Sequence, residues 1–103
     1  MIPIKTIKEI ISKHSSLEKD LSSSDIDKKL FAEKSKEYSD VNEIIESAKK
    51  YISYENDKKE LEKILDDSLG DDELKNMAKQ ELSELQFQHE INEKKLKLFL
   101  LPK

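Results

Sequence analysis

The chain of 103 residues contains no cysteine and no tryptophan, one glycine and two prolines. Without cysteine there is neither a disulfide nor thiolate chemistry, which fits a cytosolic protein. All 19 basic residues are lysine, so no guanidinium fork is present to clamp a phosphate or carboxylate in bidentate fashion. Gly70 stands alone, which leaves no glycine-rich loop to cradle a phosphate. Pro3 and Pro102 lie near the two ends, and nothing between them strongly opposes helix. The N-terminal "MIPIKTIKEII" lacks the long apolar run and small-residue cleavage site of a signal peptide. No apolar run reaches membrane-spanning length, so no membrane is expected as a partner.

Charge is what the chain has in excess. Charged residues make up 41% and hydrophobic residues 35%. So little apolar surface argues against a thick globular core and for an elongated helical arrangement with a narrow apolar seam. The length suits one small domain. The net charge of −4 implies no general affinity for nucleic acid.

The apolar residues recur at helical spacing. Ile4, Ile7, Ile11, His14, Leu17 and Leu21 form one stripe of an amphipathic helix over 4–21. "SSSD" at 22–25 is the first turn, where Ser24 or Asp25 caps a second helix. Ile26, Leu30, Phe31, Tyr38, Val41, Ile45, Ala48 and Ile52 carry the step onward, followed by Tyr51, Tyr54, Leu61, Ile64 and Leu65. "DVNE" at 40–43 resembles a capping box. The apolar step passes through it unbroken, so helix is expected over 26–66 with at most a kink near Ser39–Asp40. "DDSLGDDE" at 66–73 is the clearest turn. Gly70 is expected to take the left-handed conformation there, with Asp71 or Asp72 capping a third helix. Leu74, Ala78, Leu82, Leu85, His89, Asn92, Leu96 and Phe99 form its stripe, and Pro102 ends it.

Tight turns at these places set facing pairs. Leu17 faces Phe31, Ile7 faces Val41 and Ile4 faces Ile44. Across the second turn Leu74 faces Leu65, Ala78 faces Leu61, Leu85 faces Tyr54 and Ile91 faces Ala48. The expected fold is all-α: an elongated three-helix bundle from which an antiparallel coiled-coil hairpin projects toward Gly70.

Chemistry is hard to find in this pattern. His14 and His89 each have a glutamate one turn on, Glu18 and Glu93, but a zinc site needs three or four convergent ligands. The ordinary alternative is a histidine at the edge of a packed seam. Glu60/Glu62 and Asp66/Asp67 are paired acids, yet a catalytic pair needs burial in a pocket to separate its pKa values, and a narrow hairpin offers no evident pocket. No catalytic, cofactor-binding or metal-ligating residue is therefore assigned, no cofactor is expected, and no residue is assigned to partner contact. One asymmetry stands out. Residues 55–73 carry nine acids (55, 57, 60, 62, 66, 67, 71, 72, 73) against three lysines (58, 59, 63). An acidic hairpin tip serves solubility, or electrostatic docking on a basic surface.

Three short elements carry a family resemblance. Ser35, Lys36, Glu37 and Tyr38 match an S-[KR]-E-Y element on a long helix. Glu73, Leu74, Lys75, Asn76, Met77 and Ala78 match E-[LM]-[KR]-x-M-A after a hairpin turn. Leu100, Leu101, Pro102 and Lys103 match an L-L-P-K handover to a following domain. Together, in this order and spacing, they resemble the N-terminal domain of the release factor 1 family, the bacterial class-I peptide chain release factors that read UAA and UAG. The chain departs from the family in its short first turn and in using only lysine. The resemblance implies that residues 1–103 are an N-terminal helical domain, cut at "LFLLPK" before the codon-reading and peptidyl-tRNA hydrolysis domains. No "GGQ" occurs in the chain, so the hydrolytic loop, and with it the loop methylation known in the family, would lie outside it. The fragment would then be no enzyme. The resemblance further implies a cytoplasmic role in translation termination. Its partners would be the ribosome near the stalk base, accessory termination proteins and the release-factor methyltransferase, with no direct nucleic-acid binding by this fragment. The alternative from another class is a stand-alone helical coiled-coil adaptor or homo-oligomerisation module.

Overall fold

A computed structural model describes residues 1–67 and 69–102. Among them the chain forms four helices and no strand: α1 (Ile4–Leu21), α2 (Lys28–Asn42), α3 (Ile45–Asp66) and α4 (Asp72–Leu100). The molecule measures 61 × 29 × 20 Å. α1 lies against α2 and α3, and α4 runs back along α3. The all-α bundle with a projecting hairpin is the observed architecture.

The core sits at the base, where α1, α3 and α4 meet. Ile7, Ala48 and Leu96 are wholly buried, and Ile2, Ile10, Leu17, Val41, Ile44 and Tyr51 surround them. The α4 stripe is the one expected: Ala78, Asn92 and Leu96 are buried and Leu82, Leu85, His89 and Phe99 half-buried, while Leu74 is exposed. Of the apolar C-terminal run only Leu96 and Phe99 face the core; Leu98, Leu100 and Leu101 are exposed.

The expected helix over 26–66 is two helices. It breaks at Glu43–Ile44, where Ile44 sits at φ −113°, ψ 2° and no side chain caps the start of α3. The "DVNE" segment thus marks a break without forming a capping box. Val41, Ile44 and Ile45 are β-branched and all buried. Such residues gain less from helix than unbranched ones, and the change of direction lets all three reach the interior. The Ile44 N–H donates to the Val41 carbonyl at 3.1 Å, and the Ala48 N–H resumes the ladder to Ile44 at 2.9 Å.

The first connection is longer than expected. It runs over 22–27, and Asp27, rather than Ser24 or Asp25, holds the N-cap position of α2, without a side-chain bond. Its extended backbone pushes α2 along α1 by about a turn. His14 therefore stacks on Tyr38 and Asp20, near the end of α1, pairs with Lys34 at 2.6 Å. The first turn of α2 overshoots α1, which explains why Leu30 and Phe31 are exposed while Leu17 is buried. At the other end Ile4 is exposed while Ile2, two residues earlier, is buried. The segment before α1 folds back so that the Ile2 N–H donates to the Tyr51 hydroxyl at 3.0 Å.

At the hairpin turn no described residue has positive φ, Gly70 included. Glycine is favoured there by close approach instead: a Cβ would lie 3.1 Å from the Asp67 carbonyl oxygen, which accepts the Gly70 N–H at 3.0 Å. Asp71 caps α4 by accepting the Glu73 N–H at 3.0 Å, and two acids in the first turn suit the helix dipole. Pro102 follows the end of α4 at Leu100, with Leu101 already extended. Lys103, last residue of the L-L-P-K element, and Ser68 of the turn lie outside the described residues.

The packing predicts a sharp contrast. Ile7→Ala and Leu96→Ala, both 0% exposed, should each cost roughly 2–5 kcal/mol. Leu98→Ala, 69% exposed, should stay within about 0.5 kcal/mol. Urea titration separates the outcomes, and equal midpoints for all three would refute the core placement.

Candidate functional site

The two histidines are built into joints. His89 on α4 stacks on Tyr54, with ring centroids 3.7 Å apart and planes 13° from parallel, and on Tyr51 at 4.8 Å and 23°. Its Nε2 is 3.9 Å from Glu93, one turn on. Its Nδ1 is buried without a hydrogen-bonding partner among the described residues. Glu93 also receives the Tyr51 O–H at 3.2 Å and Lys97 at 3.1 Å. The Lys97 bond chiefly holds the Glu93 carboxyl below the usual range, with help from the Tyr51 hydroxyl and the N-terminal ammonium and against the opposing effect of burial. Burial pushes the Tyr51 hydroxyl up, reinforced by Glu93 and opposed by the Ile2 N–H and Lys97. The cluster thereby ties the N-terminal segment, α3 and α4 together.

His14 does the same for α1 and α2. It stacks on Tyr38 at 4.9 Å, and its Nε2 lies 2.9 Å from the Asn42 side-chain oxygen, which accepts when Nε2 is protonated. Nδ1 then faces Glu18 at 3.9 Å. The Tyr38 hydroxyl donates to Glu18 at 3.4 Å, and its pKa is raised by desolvation first and by Glu18 second. Both anticipated His–Glu pairs therefore exist, each closed off by an aromatic face. No group of three or more His, Asp or Glu side chains converges to hold a metal among the described residues. The S-K-E-Y element is a fastening: Tyr38 packs on the core and Glu37 pairs with Lys13. In the E-L-K-N-M-A element, Ala78 is buried against α3 while Leu74 and Met77 face outward.

The paired acids Glu60/Glu62 and Asp66/Asp67 are exposed, and burial as a catalytic pair is absent. The acidic tip is on the outside as expected: eight of its nine carboxylates are exposed, and Asp57 is half-buried. The expectation that the hairpin has no pocket needs correction. One flank of α3–α4 carries an open groove of about 610 Å³, floored by Tyr54, Leu61, Ile64 and Leu85. Two helices alone cannot cover both sides of their own seam, and this flank is left bare. The stripes of α3 and α4 contain that signal, since neither has a third helix to face beyond Tyr54.

With this geometry in place, residues 10–103 match the PCRF domain. The chain belongs to the PCRF domain family. Among its relatives, the Peptide chain release factor 1 of Pelagibacter ubique is 67% identical over 103 residues, all of this chain and 29% of the relative. The protein of the same name from Ehrlichia ruminantium is 44% identical over 73 residues, 71% of this chain and 20% of the relative. That from Alkaliphilus oremlandii is 40% identical over 68 residues, 66% and 19% respectively. The chain thus spans less than a third of the length of these curated relatives. No solved structure matches it significantly. The PCRF match takes in every residue of both histidine joints except Met1 and Ile2 of the N-terminal segment. Among the described residues no helix is long and apolar enough to cross a membrane.

The Glu93 joint carries a pH signature. A carboxyl whose folded pKa is depressed stabilises the fold fully above its unfolded value, and loses that contribution as pH falls through the folded value. Glu93→Gln should lower Tm at neutral pH and flatten the decline of Tm between neutral pH and the acid range. Identical Tm-against-pH curves for parent and variant would show that Glu93 does not carry this linkage.

Proposed function

We propose that residues 1–103 are the N-terminal helical domain of a class-I peptide chain release factor acting in translation termination at UAA and UAG. The observation that carries this reading is the 67% identity, along the whole chain, to a protein named Peptide chain release factor 1. In this reading the domain has no catalytic part: the chain contains no "GGQ", and ester hydrolysis and codon reading belong to other parts of the factor. Its work is contact with the ribosome near the stalk base, in the cytoplasm. Accessory termination proteins and the release-factor methyltransferase are further partners of the whole factor.

Charge placement supports a contact role. Residues 1–54 carry ten lysines and ten acids, and residues 74–103 six lysines and four acids, so the net negative charge comes from the nine acids and three lysines of 55–73. These groups stand at the projecting end, away from the core that stabilises the fold. A charge so placed acts on encounter with a basic surface before any close contact forms.

Replacing Asp66, Asp67, Asp71 and Asp72 with asparagine in the full-length factor keeps side-chain size and the capping oxygen of Asp71. Association with a stop-codon ribosome complex, followed by stopped flow, should slow at low salt, and the difference should shrink as screening rises. Dissociation should change much less. Equal association rates at low salt would reduce the tip to an ordinary solvated surface. The 103-residue chain alone should release no peptide from the same complex, and stop-dependent release by it would overturn the assignment of hydrolysis to other parts of the factor.

A further inference from the structure

We infer that the groove on the flank of the α3–α4 hairpin is a docking site for a lysine- or arginine-bearing amphipathic helix of a protein partner. The floor is apolar and incompletely covered: Tyr54 is buried, and Leu61, Ile64 and Leu85 are only half-buried. Covering them would remove further apolar surface from water. The walls are negative on both sides, with Asp57 and Glu60 from α3 and Glu81 and Glu84 from α4. None of these four carboxylates is in an ion pair among the described residues. Lys50 and the imidazole of His89 are the basic side chains in the lining.

This arrangement selects its occupant. Two facing rows of carboxylates repel phosphate, and a chain without arginine offers no compensating clamp, so a nucleic-acid strand does not fit. A second copy of this chain, paired groove to groove, would bring acids against acids. A helix with apolar residues on one face and cations on its flanks satisfies floor and walls together, as in helix-in-groove recognition. The α3 side of the lining runs from Lys50 to Ile64, roughly 21 Å at 1.5 Å per residue, which matches a partner helix of about 14 residues. Tyr54 and Leu61 are two turns apart on the floor, so the partner's anchors should recur at about i, i+3 or i+4, and i+7. The inference concerns the flank of the hairpin, not its tip, and does not rest on the termination reading.

The test uses the ¹⁵N-labelled 103-residue chain and two synthetic 14-residue peptides of equal leucine and lysine content. One confines leucine to a single helical face, and the other scatters it around the helix. The facial peptide should shift the amide resonances of Tyr54, Leu61, Ile64 and Leu85, and should bind at least about tenfold more tightly than the scattered one by fluorescence anisotropy. Glu81 and Glu84 are exposed, so the double variant Glu81→Gln/Glu84→Gln should melt like the parent. It should bind the facial peptide about fivefold to tenfold more weakly at low salt, with the gap closing at high salt. Equal affinity for the two peptides, resonance shifts confined to 66–73, or no shift at millimolar peptide would each overturn the proposal. So would displacement of the facial peptide by a single-stranded RNA oligonucleotide, or sedimentation showing that a second copy covers the groove.

Discussion

Ala48 has no side chain beyond Cβ, and it is wholly buried with Ile7 and Leu96. The small residue sits on α3 at the level where α1 and α4 both meet that helix. A larger group there would hold the neighbouring helices away, because cores at crystal-like density accept added volume only with strain. From this contact the rest follows. α1 is held against α3, so α2 can cover α1 only after the chain changes direction at Glu43–Ile44. α4 is held against α3, so both helices continue together beyond the end of the bundle as a free hairpin. Tyr51, one turn from Ala48, then finds the folded-back Ile2 on one side and Glu93 on the other.

The helical stripes were legible because burial follows a period of 3.6 wherever a helix has one covered side. α4 shows this most fully, since over most of its length it runs along α3 alone. The failures sit where periodicity carries no information. Val41, Ile44, Ile45 and Ala48 keep the helical step through the break, so the step alone could not reveal it; the β-branched cluster was the available clue. Facing pairs assumed tight turns, and the extended backbone at Asp27 moved α2 by about a turn, which left Phe31 in solvent. Ile2 lies outside any helix, and its burial depends on a hydrogen bond to a residue 49 positions away. Residue type alone points Gly70 to a left-handed conformation, whereas the close approach of Asp67 is what favours glycine there.

The candidate site was less legible than the fold for a related reason. The acidic tip is a property of composition over nineteen consecutive positions, and counting finds it. The groove is a property of two helices together. Its floor residues belong to stripes that read as core, and nothing in a stripe says whether a third element covers it. Spacing alone puts His14 and His89 on seams, and it puts their aromatic partners, Tyr38, Tyr51 and Tyr54, on the stripes of the neighbouring helices. Their pairing awaited the register.

The buried core and the excess negative charge are separated along the 61 Å length of the molecule. The wholly buried side chains lie at the base, while the uncompensated charge lies in the projecting hairpin. At physiological ionic strength the screening length is about 8 Å, so tip carboxylates scarcely act on the base, and the base, with its lysines and acids in balance, adds little to the field at the tip. A net charge of −4 spread evenly over such a shape would be nearly featureless. Confined to one end, it gives an approaching basic surface a direction, and does so without placing like charges beside the narrow seam on which folding depends. A chain in which charged residues outnumber apolar ones can fold and remain strongly polar on these terms only if the two demands fall on different stretches of helix, and here they do.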